Sequence, residues 1–266
     1  MKKLSLITAC FNSAATISDT LKSVNNQTYS NIEHIVVDGG STDATMEIVA
    51  TFGERVAQSV SEKDRGIYDA YNKGLNLSSG EIIGFINSDD YYFSNEVAEK
   101  VMTIFEDSSI DACHANLVYV DPVDSRKVQR VWKSWNFERS DMERGSIPAH
   151  PTVFVRRTVY EQFGNFNLKY KLVADYDFLL RVFYMQKINS VYIDDIWVRM
   201  RSGGATGGNL KSILSQNREI REAQKNNGIN SSIIVFCLVK LFNRITQLVK
   251  SRKFKSDKWV RGDSVD

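Results

Sequence analysis

Over its first 120 residues the chain alternates short apolar runs with stretches whose apolar residues recur at helical spacing, and this order constrains the fold more than any other feature. Leu4 to Cys10 is a mostly apolar run with no helical period, read as a strand. Ala14 to Gln27 places Ile17, Leu21 and Val24 on one helix face. Ile32 to Asp38 is again strand-like. Ala44 to Phe52 reads as a helix, with Ser41 or Thr42 as cap and Asp43 in its first turn. A short strand at Val56 to Val60, a helix at Ile67 to Leu77, a strand at Glu81 to Ile86, a helix at Glu96 to Phe105 and a strand at Ala112 to Val120 complete the series. The pattern predicts an α/β fold: a Rossmann-like, mostly parallel central sheet flanked by helices through right-handed crossovers. Ligands of such sheets bind beyond the carboxyl ends of the strands. Asn12, Asp38 and the cluster Asn87, Asp89 and Asp90 each lie just past a predicted strand, so one crevice collects them.

Beyond Pro122 the pattern is less regular. Val128 to Phe137 reads as an edge strand or loop, Thr152 to Val155 as a strand, Asp175 to Met185 as a helix and Val191 to Met200 as a strand. We divide the 266 residues into one domain, 1–228, with halves 1–120 and 121–228, and a C-terminal extension, 229–266. A net charge of +2 is too small for a general polyanion binder. Cys10, Cys113 and Cys237 are odd in number and far apart, which argues against a disulfide framework or structural zinc and for a reducing compartment. The apolar run in MKKLSLITAC is too short for a signal peptide. No run of about 20 apolar residues is available to span a bilayer.

The stretch Asn87-Ser88-Asp89-Asp90 has two readings by residue type: a turn, or carboxylates for a hard divalent cation such as Mg2+ or Mn2+. The segments TACFN, VVDGGSTDAT, SEKDRGIYDAYNKG, GEIIGFINSDD and ADYDFLLR follow in that order. Together, over roughly residues 1–205, they resemble the family 2 glycosyltransferases of GT-A fold, in particular bacterial enzymes of surface-polysaccharide synthesis. The resemblance implies an inverting transfer of a sugar from a nucleotide sugar, most simply UDP-linked, assisted by Mn2+ or Mg2+. It implies that Thr8 and Asn12 line the nucleotide pocket and that Asp38 meets the base or ribose. Asp64, Arg65, Asn72 and Lys73 fall near the donor, as do Asn87 and Ser88. Asp89 matches the metal-binding carboxylate, with Asp90 second. The chain departs from the family pattern at Tyr71, where many relatives have Arg, and at Asn87, where the acidic motif has Asp.

Asp175 and Asp177 open the helix of VADYDFLLR, where carboxylates suit capping and the helix dipole. By resemblance Asp175 is the general base that takes the acceptor hydroxyl's proton. His150 reads either as a packed histidine or as a donor or acceptor contact. Arg199, Arg201 and the SGGATGG segment read either as a closing loop over the diphosphate or as solvated surface. Trp132, Trp135 and Phe137 stand among basic residues and suit core packing or sugar stacking. The acidic motifs make nucleic acid a poor guest. Residues 231–261 carry an apolar stripe and a basic aromatic end, suited to the membrane surface or to packing on the domain or a second copy of the chain. The resemblance favours the membrane: a peripheral protein on the cytoplasmic face of the inner membrane, glycosylating a saccharide or a polyprenyl-diphosphate-linked acceptor for O-antigen, capsule or exopolysaccharide. The alternatives are a sugar nucleotidyltransferase and a non-catalytic nucleotide-binding assembly protein.

Overall fold

The computed structural model describes residues 1–203 and 210–229, together with residues 239 and 246. The expected tail helix at 231–261 and the glycine-rich segment after Gly203 therefore lie outside the described residues, apart from those two positions. The N-terminal half runs β1 (Leu4–Cys10), α1 (Ile17–Asn25), β2 (Ile32–Asp38), α2 (Thr45–Phe52), β3 (Val56–Ser61), α3 (Ile67–Leu77), β4 (Ile82–Phe85), β5 (Tyr91–Tyr92), α4 (Val97–Ile104) and β6 (Ala112–Val120). The rest comprises β7 (Val128–Trp132), α5 (Arg139–Glu143), a 3-10 turn His150–Thr152, β8 (Phe154–Arg156), α6 (Arg157–Phe163), α7 (Ala174–Leu179), β9 (Ser190–Arg201) and α8 (Leu210–Asn226).

The sheet order is β3-β2-β1-β4-β8-β6-β9-β5, with β7 added to β6. Its first four strands are parallel. Both β4 and β6 pair antiparallel with β8, so β6 runs the same way as β4. β9 is parallel to β6. The carboxyl ends of β1, β2, β4, β6 and β9 consequently share one edge. Cys10, Asp38, Phe85, Val120 and Arg201 mark that edge, as the strand alternation requires.

Every residue of β1 is buried, Ser5 and Thr8 included, as in a strand covered on both faces. α1 buries Ile17, Leu21 and Val24 completely. Each such side chain stabilises the fold by about 1.5–3 kcal/mol through burial. α3 approaches β1 so closely that a Cβ on Gly74 would lie 2.4 Å from Ile7 Cγ2. The absence of a side chain at 74 is what seats this helix against the sheet.

Three expectations need correction. The helix after β2 begins at Thr45, and its first amide is taken by Asp43 Oδ1 at 3.1 Å rather than by Ser41 or Thr42. Ser41 and Thr42 remain in the preceding loop, where their polar atoms serve Asp38 and Asn12. The expected strand at Thr152 to Val155 is a 3-10 turn followed by the short antiparallel β8, because Thr152 Oγ1 turns back to the carbonyls of Ala115 and Ala149. The expected helix Asp175 to Met185 changes after Leu179 into a π-helical turn, Leu180–Met185. His34 and His114 are buried, and burial pushes both rings down to about 4, so both are neutral. No helix among the described residues is long and apolar enough to cross a membrane.

Candidate active site

The loop after β2 is built around Asp38. Its Oδ2 accepts from the amides of Gly40 (3.2 Å) and Ser41 (2.9 Å) and from Ser61 Oγ (2.6 Å). Its Oδ1 accepts from Ser41 Oγ and from the Cys10 thiol at 3.6 Å. Burial pushes this carboxyl up, but the hydrogen bonds from Ser41 and Ser61 outweigh burial and leave it below the ordinary carboxylate range. Asp38 is an anion fixed by the chain itself. Beside it, Asn12 adopts a left-handed φ of 49° and accepts the Thr42 amide on Oδ1 at 3.0 Å. Asn tolerates that conformation better than most residues.

Asp64 Oδ1 accepts from the Gly66 amide at 2.8 Å, and its Oδ2 would be 2.7 Å from a Cβ on Gly39. Gly39 thus lets the carboxylate close onto the loop. Phe11 also borders Gly39 and is 61% exposed, an apolar ring held open at the rim of an otherwise polar loop. Sequence reading missed Phe11, because its position after β1 shows and its exposure does not.

The acidic motif follows β4. Ser88 Oγ meets Ser13 Oγ at 2.9 Å, which ties this loop to the one after β1. Tyr71 OH donates to Asn87 Oδ1, and Asn87 Nδ2 donates to Asp90 Oδ2 at 2.8 Å. Asp90 Oδ1 accepts the Arg201 amide at 3.2 Å. Asp90 is fully buried with both oxygens occupied by protein donors, which directs it inward. Burial pushes its carboxyl well up, and the neighbouring Asp89 adds to this. Asp89 differs. It is half-buried, and among the described residues no side-chain hydrogen bond contributes to the shift of its carboxyl. Burial raises it, while its own backbone amide and the nearby Arg201 charge only partly compensate. Arg201 closes this side, donating to the Asp89 carbonyl at 2.9 Å and pairing with Asp19.

Asp175 begins the second side, in the first turn of α7, and Tyr68 OH donates to its Oδ1 at 2.7 Å. His150 sits in an aromatic cage, its ring 5.3 Å from Phe85, 5.5 Å from Phe166 and 6.0 Å from Tyr71. Burial lowers its basicity and Asp175 pulls it partly back. Tyr71 lies between the two sides, its hydroxyl on Asn87 and its ring beside His150. Its hydroxyl is pushed well up first by burial and then by Asp175, Asp90 and Asp89, three carboxylates acting on one ring.

Several expected site residues have engagements of their own. Thr8 is fully buried, with its hydroxyl 2.9 Å from His34 Nε2, so it presents nothing to the crevice. Asn72 grips the backbone of Phe166 through both ends of its amide, at 2.9 and 3.0 Å. Lys73 pairs with Glu62 at 2.7 Å, and the exposed Arg65 pairs with Asp69 at 2.8 Å. Arg199 lies over the rings of Phe93 and Tyr91, 4.5 and 5.9 Å from their centroids. Two cavities of about 530 and 400 Å3 lie elsewhere, beside Tyr160 and Tyr170, and none of the expected site residues lines them.

The donor chemistry of the crevice fits a hard cation. Among the described residues no three His, Cys, Asp or Glu side chains gather tightly enough to hold an ion alone. Asp89 is nonetheless a desolvated carboxylate short of donors. That combination suits a divalent ion bringing water and substrate phosphate oxygens with it.

A mixed α/β sheet with helices on both faces and acidic loops at one strand edge is the GT-A glycosyltransferase architecture. Solved structures agree. S. aureus TarS 1-349 in complex with UDP-GlcNAc is similar with a TM-score of 0.67 and 19% identity, over 87% of this chain and 68% of that one. Glucosyl-3-phosphoglycerate synthase from Mycobacterium tuberculosis, solved with Mn2+, UDP and glucosyl-3-phosphoglycerate, is similar with a TM-score of 0.59 and 18% identity, over 87% and 82%. A PGL/p-HBAD biosynthesis glycosyltransferase of Mycobacterium tuberculosis (strain ATCC 25177 / H37Ra) is 30% identical over 182 residues, 67% of this chain and 69% of its own. The description Glycosyl transferase family 2 matches residues 5–164, and the chain belongs to that family. It is a glycosyltransferase of the kind that uses nucleotide sugars.

Proposed function

We propose that the protein is a metal-dependent, inverting hexosyltransferase that moves a sugar from a UDP-linked donor to a hydroxyl of a saccharide or polyprenyl-diphosphate-linked acceptor in bacterial surface-glycan synthesis. The observation that carries the reading is that one helix, α3, holds both sides of the crevice: Tyr68 OH donates to Asp175 Oδ1 at 2.7 Å, and Tyr71 OH donates to Asn87 in the loop that bears Asp89 and Asp90. The donor's base stacks on the exposed ring of Phe11, beside the loop that Asp38, Asn12 and Asp64 hold in shape. Asp89 holds Mn2+ or Mg2+, which neutralises charge on the leaving diphosphate when bound. Arg201 stands next to Asp89 and exchanges its pairing with Asp19 for the diphosphate. Asp175, across the crevice, takes the proton from the acceptor hydroxyl as that oxygen attacks the anomeric carbon. One base opposite one leaving group gives a single displacement and inversion. The neutral ring of His150, beside Asp175, lines the acceptor side.

Binding of UDP and UDP-GlcNAc by the TarS structures, and of Mn2+ with UDP by the mycobacterial synthase, supports the donor and metal. The mycobacterial relative's part in PGL/p-HBAD biosynthesis supports a glycoconjugate acceptor. The experiment is incubation with a panel of nucleotide sugars, with and without Mn2+, following released nucleotide. Release of UDP from one or two UDP-sugars, dependent on Mn2+, is expected. Metal-independent release, or preference for a purine nucleotide, contradicts the reading.

A further inference from the structure

Helix α3 sends two hydroxyls into the crevice from positions one turn apart. Tyr68 OH reaches Asp175 Oδ1 at 2.7 Å, and Tyr71 OH reaches Asn87 Oδ1. Residues three apart share a helix face. The two rings meet edge to face with centroids 6.1 Å apart, and both pack on Phe166 at 5.8 and 5.6 Å. The helix beneath them is fixed twice, by the close approach of Gly74 to Ile7 and by the Asn72 amide on the Phe166 backbone. Two buried hydroxyls therefore hang from one rigid rod and hold opposite sides of the crevice.

Asn87 extends the second hold. Its carboxamide accepts from Tyr71 at one end and donates to Asp90 at the other. An aspartate there accepts but does not donate, and it sets a carboxylate against Asp90. The amide at this place in the acidic motif thus has a reason in the structure.

We propose that Tyr68 and Tyr71 are positioning residues that set the separation between Asp175 and the Asn87–Asp90 loop, Tyr68 orienting the acceptor-side carboxylate and Tyr71, through Asn87, the cation-side loop. This rests on the reading of Asp175 and Asp89 given above. Tyr68 occupies Oδ1 of Asp175 and leaves Oδ2 for the incoming hydroxyl.

The test is Tyr68→Phe and Tyr71→Phe, which keep both rings and remove one hydroxyl each. Two quantities are read: the kcat for UDP release from the best donor of the panel, and the affinity for UDP with Mn2+ by calorimetry. Tyr68→Phe lowers kcat by roughly ten- to a hundredfold with UDP affinity held within about twofold. Tyr71→Phe weakens UDP binding in the presence of Mn2+ by about fivefold or more. A uniform loss of both quantities in both variants, as a merely structural role produces, overturns the proposal, and so does no loss in either. Asn87→Asp reads the same relay without altering a buried ring, in case a Phe variant folds poorly. It weakens UDP binding with Mn2+, and tighter binding overturns the relay. Asp175→Asn separates the two levels. If it releases UDP at the parent rate, the reading of Asp175 fails. If it is slow while Tyr68→Phe is fully active, only the role of Tyr68 fails.

Discussion

The loops after β2 and β4 use the same side chain in opposite ways. Asp38 accepts five hydrogen bonds from Cys10, Gly40, Ser41 and Ser61, and its carboxyl lies below the ordinary range. Asp89 stands at the same sheet edge with little beyond its own amide and a nearby arginine, and burial raises it. A buried anion whose lone pairs are filled by the chain organises a loop. A desolvated one short of donors attracts a cation or a proton. On the proposed function, the difference separates scaffold from chemistry within one edge of the sheet.

The contrast can be broken at several places. Asp89→Ala has the largest effect, a loss of transfer on the order of 10³-fold together with its metal dependence, measured as UDP release across a Mn2+ titration. Parent-level activity in that variant removes the distinction between the loops. Asp175→Asn follows, with transfer down by roughly 10²-fold and UDP affinity unchanged. Weakened UDP binding there instead moves Asp175 to the donor side.

Asp38→Asn acts on stability. It sets an amide N–H2 against donors and costs about 1–3 kcal/mol, which lowers the melting temperature by several degrees. The lowered carboxyl of Asp38 contributes stability that is present above its unfolded pKa and lost as pH falls through its folded one. The gap between parent and Asp38→Asn therefore narrows from about pH 7 to about pH 3 in thermal melts. A gap independent of pH contradicts the assignment. Gly74→Ala adds a methyl 2.4 Å from Ile7 and costs about 1–3 kcal/mol through a shift of α3. It also slows transfer, since α3 carries Tyr68 and Tyr71, and an active variant with unchanged melting temperature denies that coupling. Arg65→Ala comes last. Its side chain is exposed and pairs with Asp69 in the first turn of α3, an ion pair open to solvent, so the melting temperature stays where it was.

The strand-end rule made the edge legible in the sequence. Asn12, Asp38 and Asp89 lie at the ends of β1, β2 and β4, where it places them, whereas Arg201, read as part of a loop, ends β9. Their apolar runs located β1 and β2, because both strands are almost wholly buried. It could not say which polar groups are already occupied. Thr8 turns to His34 and Asn72 to Phe166, contacts across 26 and 94 residues that local pattern does not encode. Phe11, Tyr68 and the partner of Tyr71 escaped for the same reason, since exposure and long-range partners arise in packing. The cap of α2 was misread because Ser, Thr and Asp compete for it in sequence, while the need of Asp38 for donors holds Ser41 in the loop.

The central claim is that Asp89 is the group through which a divalent ion and the donor's diphosphate are held at this edge. Calorimetric titration of UDP into the protein with and without Mn2+, for the parent and Asp89→Ala, tests it most directly. The account predicts that Mn2+ tightens UDP binding about tenfold or more in the parent and by little in Asp89→Ala. An equal enhancement by Mn2+ in both proteins would contradict it.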